Sequence, residues 1–256
     1  MGSYNDLHIS GVGKQSGGCF GSVQISGSGK LLGPVECNSF HVSGAAKVEG
    51  GGLTVHGPVA CSGAAKVEGP LYAQSAKVSG SLSTEAEAVI EGMAEVSGSF
   101  KAEGALRVDS MKVSGVCKAE AGIRGNEITV SGVLKTPADL QAETLRSSGA
   151  LSIDGLLNAE RVEIELNGEN NVHSIGGGSV LVRRKSSGFS LFGLQKRARL
   201  NAELIEADEI DLEYTNAQTV RGVNVHVGNE CVIDRVEYSG TLTTDAYATI
   251  GERVKV

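Results

Sequence analysis

Lysine recurs at Lys14, Lys30, Lys47, Lys66, Lys101, Lys118 and Lys135, and a glutamate stands two residues beyond four of these, at Glu49, Glu68, Glu103 and Glu120. Residues i and i+2 of an extended strand share one side. Opposite charges at that spacing therefore pair on one face, and their recurrence predicts a lysine ladder beside a carboxylate ladder. Such a face is flat and ordered. It suits lateral packing or docking of a partner, through Lys47, Glu49, Lys66, Glu68, Lys101, Glu103, Lys118 and Glu120. It also serves as a solvated face that keeps a sheet soluble.

A second concentration of charge lies at 183–199, with six basic residues and no acidic one. Arg183, Arg184, Lys185, Lys196 and Arg197 surround Phe189, Leu191, Phe192 and Leu194. Basic residues around an apolar tip can dock on an anionic membrane surface by charge and shallow burial. They can equally bind a protein partner. They can also fold back onto the acidic run that follows, Glu203, Glu206, Asp208, Glu209, Asp211 and Glu213.

Other chemistry is sparse. The histidines His8, His41, His56, His173 and His226 include no pair three to five residues apart, so no local metal-ligand pair is visible. His41 and His56, almost one repeat apart, are the one pair that neighbouring repeats could bring together. The five cysteines, Cys19, Cys37, Cys61, Cys117 and Cys231, contain no Cys-x-x-Cys. Their odd number argues against a disulfide framework, and Cys37 and Cys117 read as small buried apolar residues. Gly176-Gly177-Gly178 lacks the Lys-Ser/Thr of a phosphate loop and reads as a turn. No catalytic residue, cofactor or metal is expected, and the chain does not read as an enzyme.

The elements that position these residues come from a repeat. A Ser-Gly pair recurs with its glycine at Gly11, Gly27, Gly44, Gly63, Gly80, Gly98, Gly115, Gly132 and Gly149, at nearly constant spacing. Apolar residues hold fixed offsets from that glycine. Two on come Leu82, Phe100 and Leu134; eight on, Val35, Leu71 and Leu106; thirteen on, Phe40, Met111 and Leu145; fifteen on, Val42, Val78 and Val113. They pair at i and i+2, which is strand alternation. Three such pairs fit each period. The expected fold is all-β, a parallel β-helix solenoid of about 17 residues per coil with three short strands per coil, stacked ~4.8 Å apart. The glycines mark bends that need a positive φ or close backbone approach.

Composition agrees with thin apolar layers. Tryptophan is absent and aromatics are 4% of the 256 residues. The net charge of −7 argues against nucleic acid as a partner. No apolar run is long enough for a membrane helix. The first residues show no secretory signal, and Asp6 stands where a myristoylation pattern takes Ser or Thr. A cytoplasmic, optionally membrane-associated, location is the expectation.

The phase fails after Leu166 and returns near Leu200. The expected organisation is therefore a tail over 1–8, a main β-helix over 9–168, an irregular insertion with the basic, apolar loop over 169–199, and further coils over 200–256.

The repeat, with Phe40-His41-Val42-Ser43-Gly44-Ala45-Ala46-Lys47-Val48-Glu49-Gly50 and Val236-Glu237-Tyr238-Ser239-Gly240-Thr241-Leu242, resembles the bactofilins, polymer-forming bacterial cytoskeletal proteins. The resemblance covers Ile9 to about Leu166 and again the last coils. It implies a right-handed helix, nucleotide-free assembly into non-polar filaments, and a scaffold role at the membrane or in cell-envelope and motility organisation. The chain is longer than the family's core domain and carries an insertion at 180–199.

Physics independently supports an expectation of polymerisation, because a β-helix has an open strand edge at each end. Leu7 and Ile9 at one end, and Ile250, Val254 and Val256 at the other, are the candidate polymer interface, with the chain itself as partner. Two other functions stand beside this one. A hexapeptide-repeat acyltransferase would hold a strict six-residue period, which the coil here does not keep. A non-polymerising binding rod would present flat threonine ladders and a secretion signal.

Overall fold

The computed structural model describes residues 4–184 and 198–256. Among the described residues there are 22 strands and no helix, and neighbouring strands pair in parallel, as the solenoid expectation requires. The chain divides into two compact units, Met1–Asn126 and Glu127–Val256. The boundary follows the shortest strand, Ile123–Arg124, and falls inside the expected main β-helix.

In the first unit one coil shows how three sides arise. Ala45–Val48 stacks on Ala64–Val67. Leu53–Val55 stacks on Leu71–Ala73, and after a register shift Val59–Cys61 stacks on Ala76–Val78. Each side turns two side chains inward, and all of these are apolar and buried. Equivalent residues on the third side, Val23, Phe40, Val59, Ala76, Ala94 and Met111, are paired in register, and their spacing reproduces the sequence period. Burial of each such Val, Leu, Ile or Phe contributes ~1.5–3 kcal/mol before entropic costs.

The layers compensate one another. Where one inward column holds Gly13 and Gly29, the column beside it holds Ile9 and Ile25, and a β-carbon on either glycine would meet an isoleucine side chain at 3.0–3.1 Å. Farther along, Leu82 and Phe100 fill the first column and Val78 and Val96 suffice in the second. Interiors pack at near-crystalline density, so volume lost in one slot is regained in its neighbour.

The Ser-Gly corner has one physical reason. The residue after most of these glycines donates its N–H to the carbonyl of the glycine one coil earlier, as Ala45 to Gly27, Ser81 to Gly63 and Ser99 to Gly80, each at 2.8 Å. That carbonyl fills the space a β-carbon would need. These glycines do not have positive φ. The left-handed conformation occurs instead at positions such as Gly50, φ 70°.

The second unit begins with the same period, Leu145 stacking on Val162 and Val162 on Val180. The coil after Val180 is far longer and returns only at Ile210, and the next is short and returns already at Val225. These two changes erase the Ser-Gly phase without ending the solenoid. Glu169–Arg184 is a strand paired on both sides, which corrects the expected irregular insertion over 169–184. Gly176, Gly177 and Gly178 lie within that strand and not in a turn. A β-carbon on Gly177 would collide with the Ala159 carbonyl of the coil before it, so close approach explains this glycine too.

The second unit also buries polar residues, Asn170 and Ser147 among them. Asn170 is fully buried; its Oδ1 accepts from Leu151 N at 2.9 Å and its Nδ2 donates to Gly168 O at 3.3 Å. Ser147 occupies an inward slot between Val130 and Ile164. Its hydroxyl is buried without a hydrogen-bond partner.

Candidate interaction surfaces

The lysine ladder forms. Lys14, Lys30, Lys47 and Lys66 are consecutive in register, Ser83 takes the next place, and Lys101 and Lys118 follow. They alternate with inward residues of the first side, which is why all point outward. The glutamates pair with them in two ways. Lys101–Glu103 (2.6 Å) and Lys118–Glu120 (2.7 Å) pair within a coil. Lys30–Glu49 (2.6 Å) and Lys66–Glu85 (2.7 Å) pair between coils. Lys47 bridges Glu49 at 2.6 Å and Glu68 at 2.8 Å.

The electrostatics follow the geometry. Hydrogen bonds from Lys30 and then Lys47 hold the Glu49 carboxyl down at about 2. Glu49 and then Glu68 raise the Lys47 ammonium above its ordinary value. From Lys30 to Lys118 the ladder is therefore internally neutralised. It presents alternating charge to a partner, with its lysines half-exposed.

The second unit carries ladders that the sequence pattern did not disclose. Arg221 bonds Glu206 at 3.1 Å and Glu237 at 2.7 Å, and Arg235 joins Glu237 at 2.8 Å to Glu252 at 2.9 Å. Asn201 donates to Asn171 and Asn216 donates to Asn201, both at 2.9 Å, and Arg199 donates to Asn216 at 2.6 Å. Positions 171, 201 and 216 are unequally spaced in the chain, so only the register reveals them.

The root of the basic segment is held within the chain. Arg183 pairs with Asp211 and, at 2.8 Å, with Glu213. Arg184 donates its backbone N–H to Glu213 at 3.1 Å, and its guanidinium lies 4.7 Å from the centre of the Tyr214 ring. Lys185, Phe189, Leu191, Phe192, Leu194, Lys196 and Arg197 lie outside the described residues.

The candidate junction residues separate into two kinds. Leu7 pairs with Val23, Ile9 with Ile25 and Ile250 with Ile233, all along inward columns. Val254 pairs with Glu237 and therefore faces outward, and Val256 is exposed. The inward slot of the last coil is taken by Arg253, in register with the fully buried Val236.

Histidines and cysteines form no shared centre among the described residues. His41 is in register with Ala60, whereas His56 bonds Glu36 at 2.7 Å, so the two do not meet. Among the described residues no cluster of three or more His, Cys, Asp or Glu is placed to hold a metal. Cys37, Cys61, Cys117 and Cys231 are buried and Cys19 is exposed. Burial pushes the thiols of Cys37 and Cys117 up to about 12. An open groove of about 360 Å³ lies in the second unit, between Thr129, Arg146, Glu163 and Leu181. Among the described residues no helix is long and apolar enough to cross a membrane.

No protein-family model matches the chain, and no solved structure matches it. Among curated proteins it is similar to two from Bacillus subtilis (strain 168). Uncharacterized protein YhbE is 42% identical over 103 residues, which is 40% of this chain and 44% of that protein. Uncharacterized protein YhbF is 36% identical over 103 residues, 40% of this chain and 42% of that protein. The matched part thus spans under half the length of these relatives, and their names assign no activity.

Proposed function

We propose that the protein is a cytoskeletal scaffold that assembles end to end with copies of itself, without nucleotide, and positions partner proteins in the cytoplasm or at the membrane. One observation carries this most directly. The first strand, Leu7–Ile9, and the last, Thr249–Lys255, each pair on one side only among the described residues. Among the described residues no coil covers their inward residues, or the half-buried Phe20 and Leu242, as one covers their counterparts elsewhere. An uncovered β-helix edge is a template of matching cross-section for another coil.

The bactofilin resemblance of the Ser-Gly repeat supports the same function. The ion-pair ladder offers a surface of fixed spacing for partners, and the basic, apolar stretch 185–197 is suited by composition to an anionic membrane or an acidic protein. Negative-stain electron microscopy of the full chain, with no nucleotide, tests the assembly. Filaments are expected, and replacement of Ile250 or Phe20 by Asp should shorten them to rods or monomers. Dispersed rods from the unaltered protein at high concentration would overturn it.

A further inference from the structure

One histidine in the second unit stands between two carboxylates. Nδ1 of His226 lies 2.8 Å from Asp211 Oδ1, and Nε2 lies 3.3 Å from Asp245 Oδ1. Carboxylates only accept hydrogen bonds, so both contacts are made at once only by the imidazolium, which donates from both nitrogens. The three residues belong to three successive levels of the solenoid. Asp211 is on the strand Arg199–Leu212, His226 on Thr215–Val227, and Asp245 on the bend between Val232–Thr244 and Thr249–Lys255.

The charged surroundings are settled on one side and open on the other. Asp211 is also bound by Arg183, which binds Glu213 as well. Glu209, on the same strand as Asp211, is engaged by Asn224 at 2.6 Å. Thr243 is the in-register neighbour of His226 on the following strand. Asp211 therefore keeps a cation in either state of the histidine. Asp245 depends on His226, its one side-chain partner among the described residues. Its backbone forms the bend, donating to Val227 O at 3.0 Å and accepting from Ala248 N at 3.2 Å. That bend leads directly into the last strand.

We propose that His226 is a proton-controlled clamp: when protonated it ties Asp245 to Asp211 and seats the bend and last strand, and on deprotonation it releases Asp245 and loosens them. The direction is consistent with the group's titration. The hydrogen bond His226 donates to Asp211, and more weakly the one it donates to Asp245, raises the His226 pKa above 6.5, against partial burial. A raised folded-state pKa places the stabilisation below 6.5, and it is lost as pH rises through the folded value. The clamp bears on one of the two edges proposed to carry assembly, but it is defined by the seating of the last strand alone.

Amide hydrogen exchange of the full chain, read by mass spectrometry on peptides covering 245–255, tests it. His226→Gln, neutral at every pH, is compared with the unaltered protein at the same pH, which cancels the intrinsic pH dependence of exchange. At about pH 5.5 the unaltered protein should exchange these amides about two- to fivefold more slowly, the range a partly exposed ion pair supports. At about pH 9 the two should converge. Asp245→Asn should match His226→Gln over these peptides. Equal exchange at the lower pH, or a difference that persists at the higher one, would overturn the clamp. Because exchange reports the strand and not the polymer, absence of filaments leaves this test intact.

Discussion

The carbonyl oxygen of Gly80 occupies the space that a β-carbon on Gly98 would need. It is there because it accepts the N–H of Ser99 at 2.8 Å. Glycine at this corner is thus a condition of coil-on-coil hydrogen bonding. Gly98→Ala should destabilise the protein by about 1–3 kcal/mol, as overpacking does. Gly11→Ala should be close to neutral, because nothing lies within 4 Å of a β-carbon there. Thermal unfolding of the pair decides the point, and equal losses would show that the glycines serve conformation and not clearance.

Ser147 is the reverse case, a polar residue in an apolar slot. Its neighbours along the column are Val130 and Ile164, and its hydroxyl is buried without a partner. Ser147→Val should stabilise by about 1–3 kcal/mol, the usual cost of an unpaired buried hydroxyl. A lowered unfolding temperature would mean that the slot is shaped for serine.

The ladder predicts an acid limb of stability. Glu49 titrates at about 2 when folded, against an ordinary value of 4.5, because Lys30 and Lys47 bond its charged form. Its contribution is complete above 4.5 and is lost as pH falls toward 2. Glu49→Gln should be less stable than the unaltered protein at neutral pH, with the gap closing across that window and shrinking in high salt. A constant gap from neutral to acid pH would assign the loss to packing.

Thiol reactivity should be confined to one position. Cys19 is exposed and the other four cysteines are buried. Desolvation pushes Cys37 and Cys117 to about 12 and Cys231 to about 11. The thiolate is the reactive form. A chromogenic disulfide reagent at neutral pH should therefore titrate one thiol rapidly in the folded protein and five after denaturation. More than one fast thiol would show that the coils open readily.

Much of this was written in the residue order. The Ser-Gly spacing set the coil, the inward slots followed from alternation within each side, and the lysine and glutamate columns named one face. These features repeat at nearly constant length, and nearest-neighbour stacking converts constant length into register. Where the length departs, inference from pattern stopped. The strand Glu169–Arg184 resembled turns because Asn and Gly are abundant there, yet Asn170 is a core residue whose amide bonds Leu151 N and Gly168 O.

Parity across bends was equally hidden. Alternation along Ile250-Gly251-Glu252-Arg253-Val254 puts Val254 inward. The bend after Ile250 resets it, as the bend after Ile233 does, so Arg253 takes the place of Val236 and Val254 that of Glu237.

The sequence by itself determined a parallel solenoid, its apolar columns and the sides that carry charge, because these depend on residues a fixed distance apart in one chain. Tertiary structure alone decided which charges meet between coils. Glu85 has Ser83 and no lysine on its own coil, so it takes Lys66 from the coil before it. His226 lies between Asp211 and Asp245 only because coils of unequal length bring the three to adjacent levels. Contacts between coils depend on the length of every intervening bend, and those lengths are set by packing over the whole stack.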